Sequence, residues 1–288
     1  MGATSKTIKK IIRGKISDWL ESLPELTRNQ VKNKVIVTGG CITSLLLGEP
    51  VNDFDVYCKD HASALALAKY YVEKFHNTEF KVTDFGGRIK IVIPSDGIAV
   101  AGGEVVTEGG EGEVSEKYEA LETAAQQVTE TGKEKYRPVF LSSNAITLSD
   151  KIQIVIRFYG EPDEIHKNFD YQHTLNLWCS WSNELILNPD ALASILAKNL
   201  VYTGSLYPVA SVARMKKFLL RGWKINAGQI LKMCMQISQL DLTDLETLRE
   251  QTTGIDSAYF LAVLSALEDK DPWKVDVQYL STIIDRIF

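Results

Sequence analysis

The stretch that most restricts how this chain can fold is VIVTGGCITSLLLGEPVNDFDVY, residues 35–57. Val35, Ile36 and Val37 form a β-branched run suited to a buried strand. Gly39 and Gly40 interrupt it, so the backbone can turn sharply and leave N–H groups open to an anion with no Cβ in the way. Ile42 to Leu47 read as a short helix whose N-terminus points at the same spot, which again favours a phosphate. Gly48 and Pro50 end it, and Asp53-Phe54-Asp55-Val56-Tyr57 returns as a second strand. Residues two apart on a strand share a face, so Asp53 and Asp55 point one way while Phe54 and Val56 point into a core. Two neighbouring carboxylates repel unless a cation lies between them, and Mg²⁺ is the hard ion that also takes phosphate oxygens. The stretch therefore offers a phosphate turn facing a metal-binding pair.

These residues resemble the nucleotidyltransferase superfamily that includes DNA polymerase beta, and most closely the head domain of CCA-adding enzymes and bacterial poly(A) polymerases. The family pattern of two glycines, an apolar helix ending in leucine-leucine-glycine, and aspartate-x-aspartate falls on Gly39, Gly40, Ile42, Leu46, Leu47, Gly48, Asp53 and Asp55 without a gap. Thr43 stands where the family has arginine and Ser44 where it has aspartate. The resemblance implies an α+β fold, with a mixed-sheet head flanked by helices and followed by an α-helical domain. It also implies that Gly39, Gly40, Thr43 and Ser44 surround the nucleotide, that Asp53 and Asp55 hold magnesium, and that two ions sit about 3.5–4 Å apart.

The rest of the chain fits a soluble protein. Hydrophobic residues make up 45% and charged residues 24%, ordinary for a globular domain. No apolar run reaches membrane-spanning length, and the N-terminus has no secretory core. Cys41, Cys58, Cys179 and Cys234 are scattered without zinc or redox spacing, as thiols of a reducing cytosol would be. The expectation is a cytoplasmic protein without a membrane partner. The net charge of −5 hides an asymmetry: residues 101–136 hold nine Glu and three Lys, net −6, which leaves +1 for the remainder. That balance permits a nucleic-acid partner if basic residues cluster.

In chain order, Thr4 or Ser5 caps a helix reaching about Leu23, with Ile8, Ile11, Ile12, Ile16, Trp19 and Leu20 as its apolar stripe. Lys9, Lys10, Arg13 and Lys15 lie outside the stripe, either as an RNA-facing surface or, by default, as a solvated one. Residues 61–75 form a second amphipathic helix, and His61 and His76 near its ends read as surface or capping residues. Residues 80–82 and 88–93 alternate as a hairpin turning at Gly86-Gly87, with Arg88 and Lys90 on the face that looks over the phosphate turn. From 97 to 135 the pattern turns polar and glycine-rich, a flexible acidic insertion within a head of residues 1–185. It contains one weak helical stretch, 118–128, and serves as a lid, an arm or slack. Strands resume at 138–140, 145–148 and 152–158.

Residues 168–178 read as one further strand. The resemblance continues weakly here through Phe169-Asp170-Tyr171, which makes Asp170 a candidate third acidic member of the catalytic site. The alternative is a helix-to-strand cap. On a regular strand His173 faces away from Asp170.

From residue 186 the pattern is helical, over 191–200, 209–221, 228–239, 242–251, 257–267 and 277–287. Arg214, Lys217 and Arg221 share one face of a helix that resembles the family's arginine-rich neck, and such a stripe suits nucleic-acid contact. The base-reading element before that neck is not matched, since Tyr207, Pro208 and Ser211 stand in its place. The implied reaction is attack of an acceptor hydroxyl on the α-phosphate of a nucleoside triphosphate, ATP or another, with release of pyrophosphate. The expected acceptor is an RNA 3′ end of the tRNA-processing kind. A protein or small-molecule acceptor, or a non-catalytic nucleotide- or RNA-binding module, is the alternative.

Overall fold

The computed structural model describes residues 2–74, 80–92, 98–100, 105–106, 135–251 and 276–287. Two compact units divide them, the first running up to Ala197 and the second starting at Lys198.

The first unit opens with α1 (Ser5–Glu21), where the Thr4 side chain accepts from the Thr7 N–H and so satisfies a first-turn donor. Ile8, Ile12, Ile16 and Trp19 recur at helical spacing and are buried. Trp19 Nε1 donates to the Tyr71 hydroxyl at 2.9 Å, a buried bond that ties α1 to α4 (His61–Lys74). Between them lie α2 (Glu25–Val31), β1 (Val35–Thr38), α3 (Gly40–Leu47) and β2 (Phe54–Cys58). Lys15, one of the basic residues of α1, lies over the Tyr136 ring at 5.2 Å, so part of that face packs rather than standing in solvent.

A hairpin, β3 (Lys81–Phe85) and β4 (Arg88–Val92), turns at Gly86-Gly87 and makes its own two-stranded sheet. Ile89 and Ile91 are buried while Arg88 and Lys90 are exposed. His61 begins α4, and its Nε2 lies 3.0 Å from Asp84 Oδ1 on the hairpin. Strands β5 (Ile98–Val100), β6 (Val105–Val106), β7 (Pro138–Leu141), β8 (Ala145–Leu148) and β9 (Ile152–Tyr159) follow, then α5 (Pro162–His166), β10 (Leu177–Cys179) and β11 (Glu184–Ile186). Of the expected 97–135 insertion, β5 and β6 are described, and β5 pairs with β7. The expected 118–128 helix, His76 and the 257–267 helix lie outside the described residues.

The nine-stranded sheet runs β11-β10-β1-β2-β9-β8-β7-β5-β6. Among its described pairings β2 with β9 is parallel and the others are antiparallel. This is the expected α+β architecture, a mixed sheet flanked by helices. One face carries Val35, Val37, Phe54, Val56, Cys58, Ile152, Ile154, Ile156 and Trp178 into the core shared with α1 and α4. Each large aliphatic side chain buried there contributes about 1.5–3 kcal/mol. The opposite face carries Ile36, Tyr57, Leu177 and Cys179, which pack with Ile165 of α5.

Residues 168–178 do not form one strand. The Tyr171 carbonyl accepts from the Thr174 N–H at 3.2 Å and from its hydroxyl at 2.6 Å, and this closes a 3₁₀ turn at Gln172–Thr174. A hydroxyl that bonds the backbone locally competes with the ladder, so alternation misleads here. The strand begins only at Leu177. Helix α6 (Pro189–Ala197) packs on that turn within the first unit, and Asn176 Oδ1 accepts the Asn188 N–H just ahead of it.

The second unit contains α7 (Pro208–Leu220), α8 (Ala227–Ile237), α9 (Leu245–Gln251) and α10 (Val277–Ile287), close to the helices read from periodicity. Proline at the first turn of α7 lacks an N–H that would have had no helical partner. Gln236 Nε2 donates to the Ser205 carbonyl at 2.7 Å, and the Phe218 and Trp223 rings meet edge to face at 5.8 Å.

Candidate functional site

The site is built where β1 hands over to α3. Thr38, the last residue of β1, pairs directly with Asp55 of β2, and in an antiparallel pair the two side chains share a face. Phe54 and Val56 are buried while Asp55 between them, and Asp53 just ahead of the strand, are half-buried. The chain turns at Gly39 with φ +92° and ψ −152°, a conformation essentially confined to glycine. A Cβ added there would lie 2.8 Å from Asp55 Oδ2. Glycine is thus required twice at this position, once by the backbone and once by the carboxylate against it. At the far end of α3, Gly48 closes the helix in the left-handed conformation with φ +71°.

Cys41, in the first turn of α3, reports on the local field. Burial pushes its thiol well up, and Asp55 and then Asp53 add to the rise. Both carboxylates therefore act on one buried point beside the glycine turn. Thiols elsewhere rise as well: burial lifts Cys58 to about 12 and Cys179 to about 11.

The turn is held from the other side by the 172–174 segment. The Gly39 N–H donates to the Thr174 carbonyl at 3.2 Å. The Thr38 hydroxyl donates to the Asn176 carbonyl at 2.8 Å, and the Thr43 hydroxyl donates to the His173 carbonyl at 2.8 Å. Thr43 and Ser44 are only 2% and 4% exposed. Of the residues expected around a nucleotide, Gly39 and Thr43 therefore spend their donors on the fold. Gly40, half-exposed, begins α3 directly after the Gly39 turn.

Asp170, the expected third acidic member, lies in the connection between α5 and the 3₁₀ turn and is 7% exposed. Among the described residues no three His, Cys, Asp or Glu side chains gather at metal-ligating distance. Asp53, Asp55 and Asp170 therefore form no such three-membered group among the described residues. Two half-buried carboxylates, Asp55 in β2 and Asp53 just ahead of it, beside a glycine that admits no side chain, still fit Mg²⁺, which is ordinarily held by one or two carboxylates plus phosphate oxygens and water.

Two neighbours carried no signal in the sequence. His166, the last residue of α5, places Nε2 2.9 Å from the Thr38 hydroxyl. Because that hydroxyl gives its proton to the Asn176 carbonyl, the imidazole Nε2–H is the donor to it. Burial lowers the His166 pKa, and Asp163 opposes the shift. Gln153 of β9 stands beside Asp55 in the parallel register. No spacing rule links residues 38 and 166, or 55 and 153, so tertiary structure alone reveals them. Arg214, Lys217 and Arg221 belong to the second unit: Arg214 is half-buried, Lys217 is exposed, and Arg221 is exposed just past the end of α7.

Residues 10–198 match the sequence model of the Gad2, or Gabija anti-defense 2, family. The chain belongs to this family. The match takes in all three segments that build the site, namely β1–α3–β2, β9 and the 166–176 connection. No curated protein matches the sequence. Among solved structures, this Gad2-family chain is similar to the Thermotoga maritima CCA-adding enzyme complexed with tRNA, at 14% identity over 94% of this chain and 55% of that one, with a TM-score of 0.42. It is also similar to the Bacillus stearothermophilus CCA-adding enzyme in complex with CTP, at 11% identity over 94% and 57% of the two chains, with a TM-score of 0.38. The chain spans about half the length of these enzymes, and the likeness is one of fold. No helix among the described residues is long and apolar enough to cross a membrane.

Proposed function

We propose that this Gad2-family chain is a metal-dependent nucleotidyltransferase, moving a nucleoside monophosphate from a nucleoside triphosphate to an acceptor hydroxyl. The observation that carries the reading is the arrangement of Gly39 and Asp55: the turn adopts a conformation reserved for glycine, and a Cβ added there would lie 2.8 Å from Asp55 Oδ2. Asp53 lies just ahead of the same strand, and its charge, like that of Asp55, acts on the Cys41 thiol. Magnesium held by this pair and by phosphate oxygens would supply Lewis-acid stabilisation of the attacking and leaving oxygens. Asp53 and Asp55 would hold the metal that neutralises the phosphate charge, while the N-terminus of α3 at Gly40 would face the distal phosphates, where the helix dipole favours negative charge. The hydrogen bonds from Gly39, Thr38 and Thr43 to 173–176 hold this geometry rigid, so little of it has to be assembled when the nucleotide arrives.

Asp55→Asn keeps the shape and removes the charge. Incubation with Mg²⁺, each labelled triphosphate and candidate acceptors should give transfer by the wild type and none by the variant. Equal transfer by both would overturn the assignment.

Two acceptors compete. An RNA 3′ hydroxyl is supported by the exposed Lys217 and Arg221 beside Arg214. A component of the Gabija defence is supported by the role that the family's description names. The first predicts tRNA binding that weakens steeply with salt, with a slope falling by about one unit for each basic residue neutralised. If the wild type and the Arg214→Ala, Lys217→Ala, Arg221→Ala triple variant bind tRNA alike, or neither binds it, the second reading takes precedence.

A further inference from the structure

Asp55 has a neighbour on each side of its strand. On β1 it is Thr38, whose hydroxyl is already committed to the fold. On β9 it is Gln153, in the parallel register, with Phe54 beside Ile152 and Val56 beside Ile154. Laterally aligned residues in a sheet share a face, about 4.8 Å apart between adjacent strands. The flanking Ile152 and Ile154 are buried in the main core, so Gln153 lies on the opposite face, the one that carries Asp55, with Asp53 just ahead of β2. It is half-buried there, opposite Thr147 of β8. Among the described pairings of Asp55, Gln153 is the long polar side chain and Thr38 the other partner.

We infer that Gln153 is the third, neutral member of this site, its carboxamide contacting the metal-bound triphosphate, so that the metal is loaded together with the nucleotide rather than alone. This rests on the nucleotidyl-transfer reading of the same site. The physical reason is charge. Three carboxylates within one strand spacing would repel one another strongly until a cation joined them, and they would bind a bare divalent ion tightly. A carboxamide offers an acceptor oxygen and two N–H donors without adding charge. The pair alone carries two negative charges, few for a hard cation that gives up its water reluctantly. The triphosphate supplies the missing negative oxygens, and the Gln153 amide can donate to one of them. Metal affinity then depends on the nucleotide being present.

The test is binding, not turnover. Mn²⁺ alone is titrated by calorimetry into wild type, Gln153→Glu, Gln153→Ala and the Asp55→Asn, Gln153→Glu double variant, each shown folded by its melting curve. The titrations are then repeated with non-hydrolysable ATP and CTP analogues. We expect weak Mn²⁺ binding by the wild type alone and much tighter binding with a nucleotide. Gln153→Glu should tighten binding of Mn²⁺ alone on the order of tenfold, in line with the dependence of such sites on ligand charge, and Asp55→Asn should cancel the gain. Gln153→Ala should weaken only the binding measured with nucleotide. If Gln153→Glu leaves Mn²⁺ binding unchanged while Asp55→Asn still weakens the metal–nucleotide complex, the inference fails and the carboxylate pair stands. Metal–nucleotide binding indifferent to Asp55→Asn overturns both.

Discussion

Two segments meet at the glycine turn, and they are built on different rules. Residues 35–58 form a strand, a helix and a strand whose side chains alternate, so Asp55 faces one way and Phe54 and Val56 fill the core. Residues 168–179 use little alternation. They are shaped by hydroxyl and carbonyl bonds: Thr174 onto Tyr171, Thr43 onto His173, Thr38 onto Asn176. The first segment carries the charge and the second clamps it. The contrast teaches that one strand can place ligands by periodicity alone, while holding them still requires partners distant in sequence.

Breaking the charged half at its tightest point should have the largest effect. Gly39→Ala must adopt a backbone reserved for glycine and push against Asp55 Oδ2, at a cost of about 2–5 kcal/mol from strain and overpacking together. Chemical denaturation should show that loss, and nucleotide transfer should disappear with it. A variant as stable and active as the wild type would mean that the turn is not held as described.

Breaking the clamp instead should cost less. Thr43→Val leaves the buried His173 carbonyl without its 2.8 Å donor, a loss of about 1–3 kcal/mol. We expect a lower melting temperature with the metal site still able to form, so transfer measured well below the melting point should fall by less than in Gly39→Ala. Abolished transfer in a folded Thr43→Val protein would blur the division between the two segments.

The smallest expected effect concerns pH. Burial lowers the His166 pKa in the folded protein, while the unfolded ring titrates near about 6.5. Between the folded and unfolded values the unfolded chain binds more protons, so this residue's contribution is fully present above about 6.5 and is lost as pH falls below it. Urea unfolding at pH 7.5 and 5.5 should show a drop in wild type that is smaller in His166→Asn. An equal drop in both would assign the acid sensitivity to other groups.

Thiol chemistry offers a further check on packing in both segments. Cys41 and Cys179 are buried with raised pKa values, Cys58 is buried as well, and Cys234 is exposed on α8. A thiol reagent should therefore find one fast-reacting group in the native protein and four after denaturation. More than one fast thiol would show that one of the three sites is open.

The sequence by itself determined the elements around the turn. β-branched runs, paired glycines and a two-residue period are local signals, and they determined β1, α3, β2, the alternation of Phe54, Asp55 and Val56, and most helices of the second unit. The same local logic misread 168–178, because a threonine hydroxyl that reaches its own backbone can outweigh alternation, and pattern alone does not say which will win. The expectation that Thr43 and Ser44 surround a nucleotide rests on the family resemblance, and what tertiary packing adds is that both are buried, with the Thr43 hydroxyl given to the His173 carbonyl. Only the tertiary structure decided which strand lies beside β2. That pairing is a parallel crossover spanning about a hundred residues of chain, and no local propensity encodes its register. Because of it, Gln153 stands next to Asp55, and α5 brings His166 to Thr38.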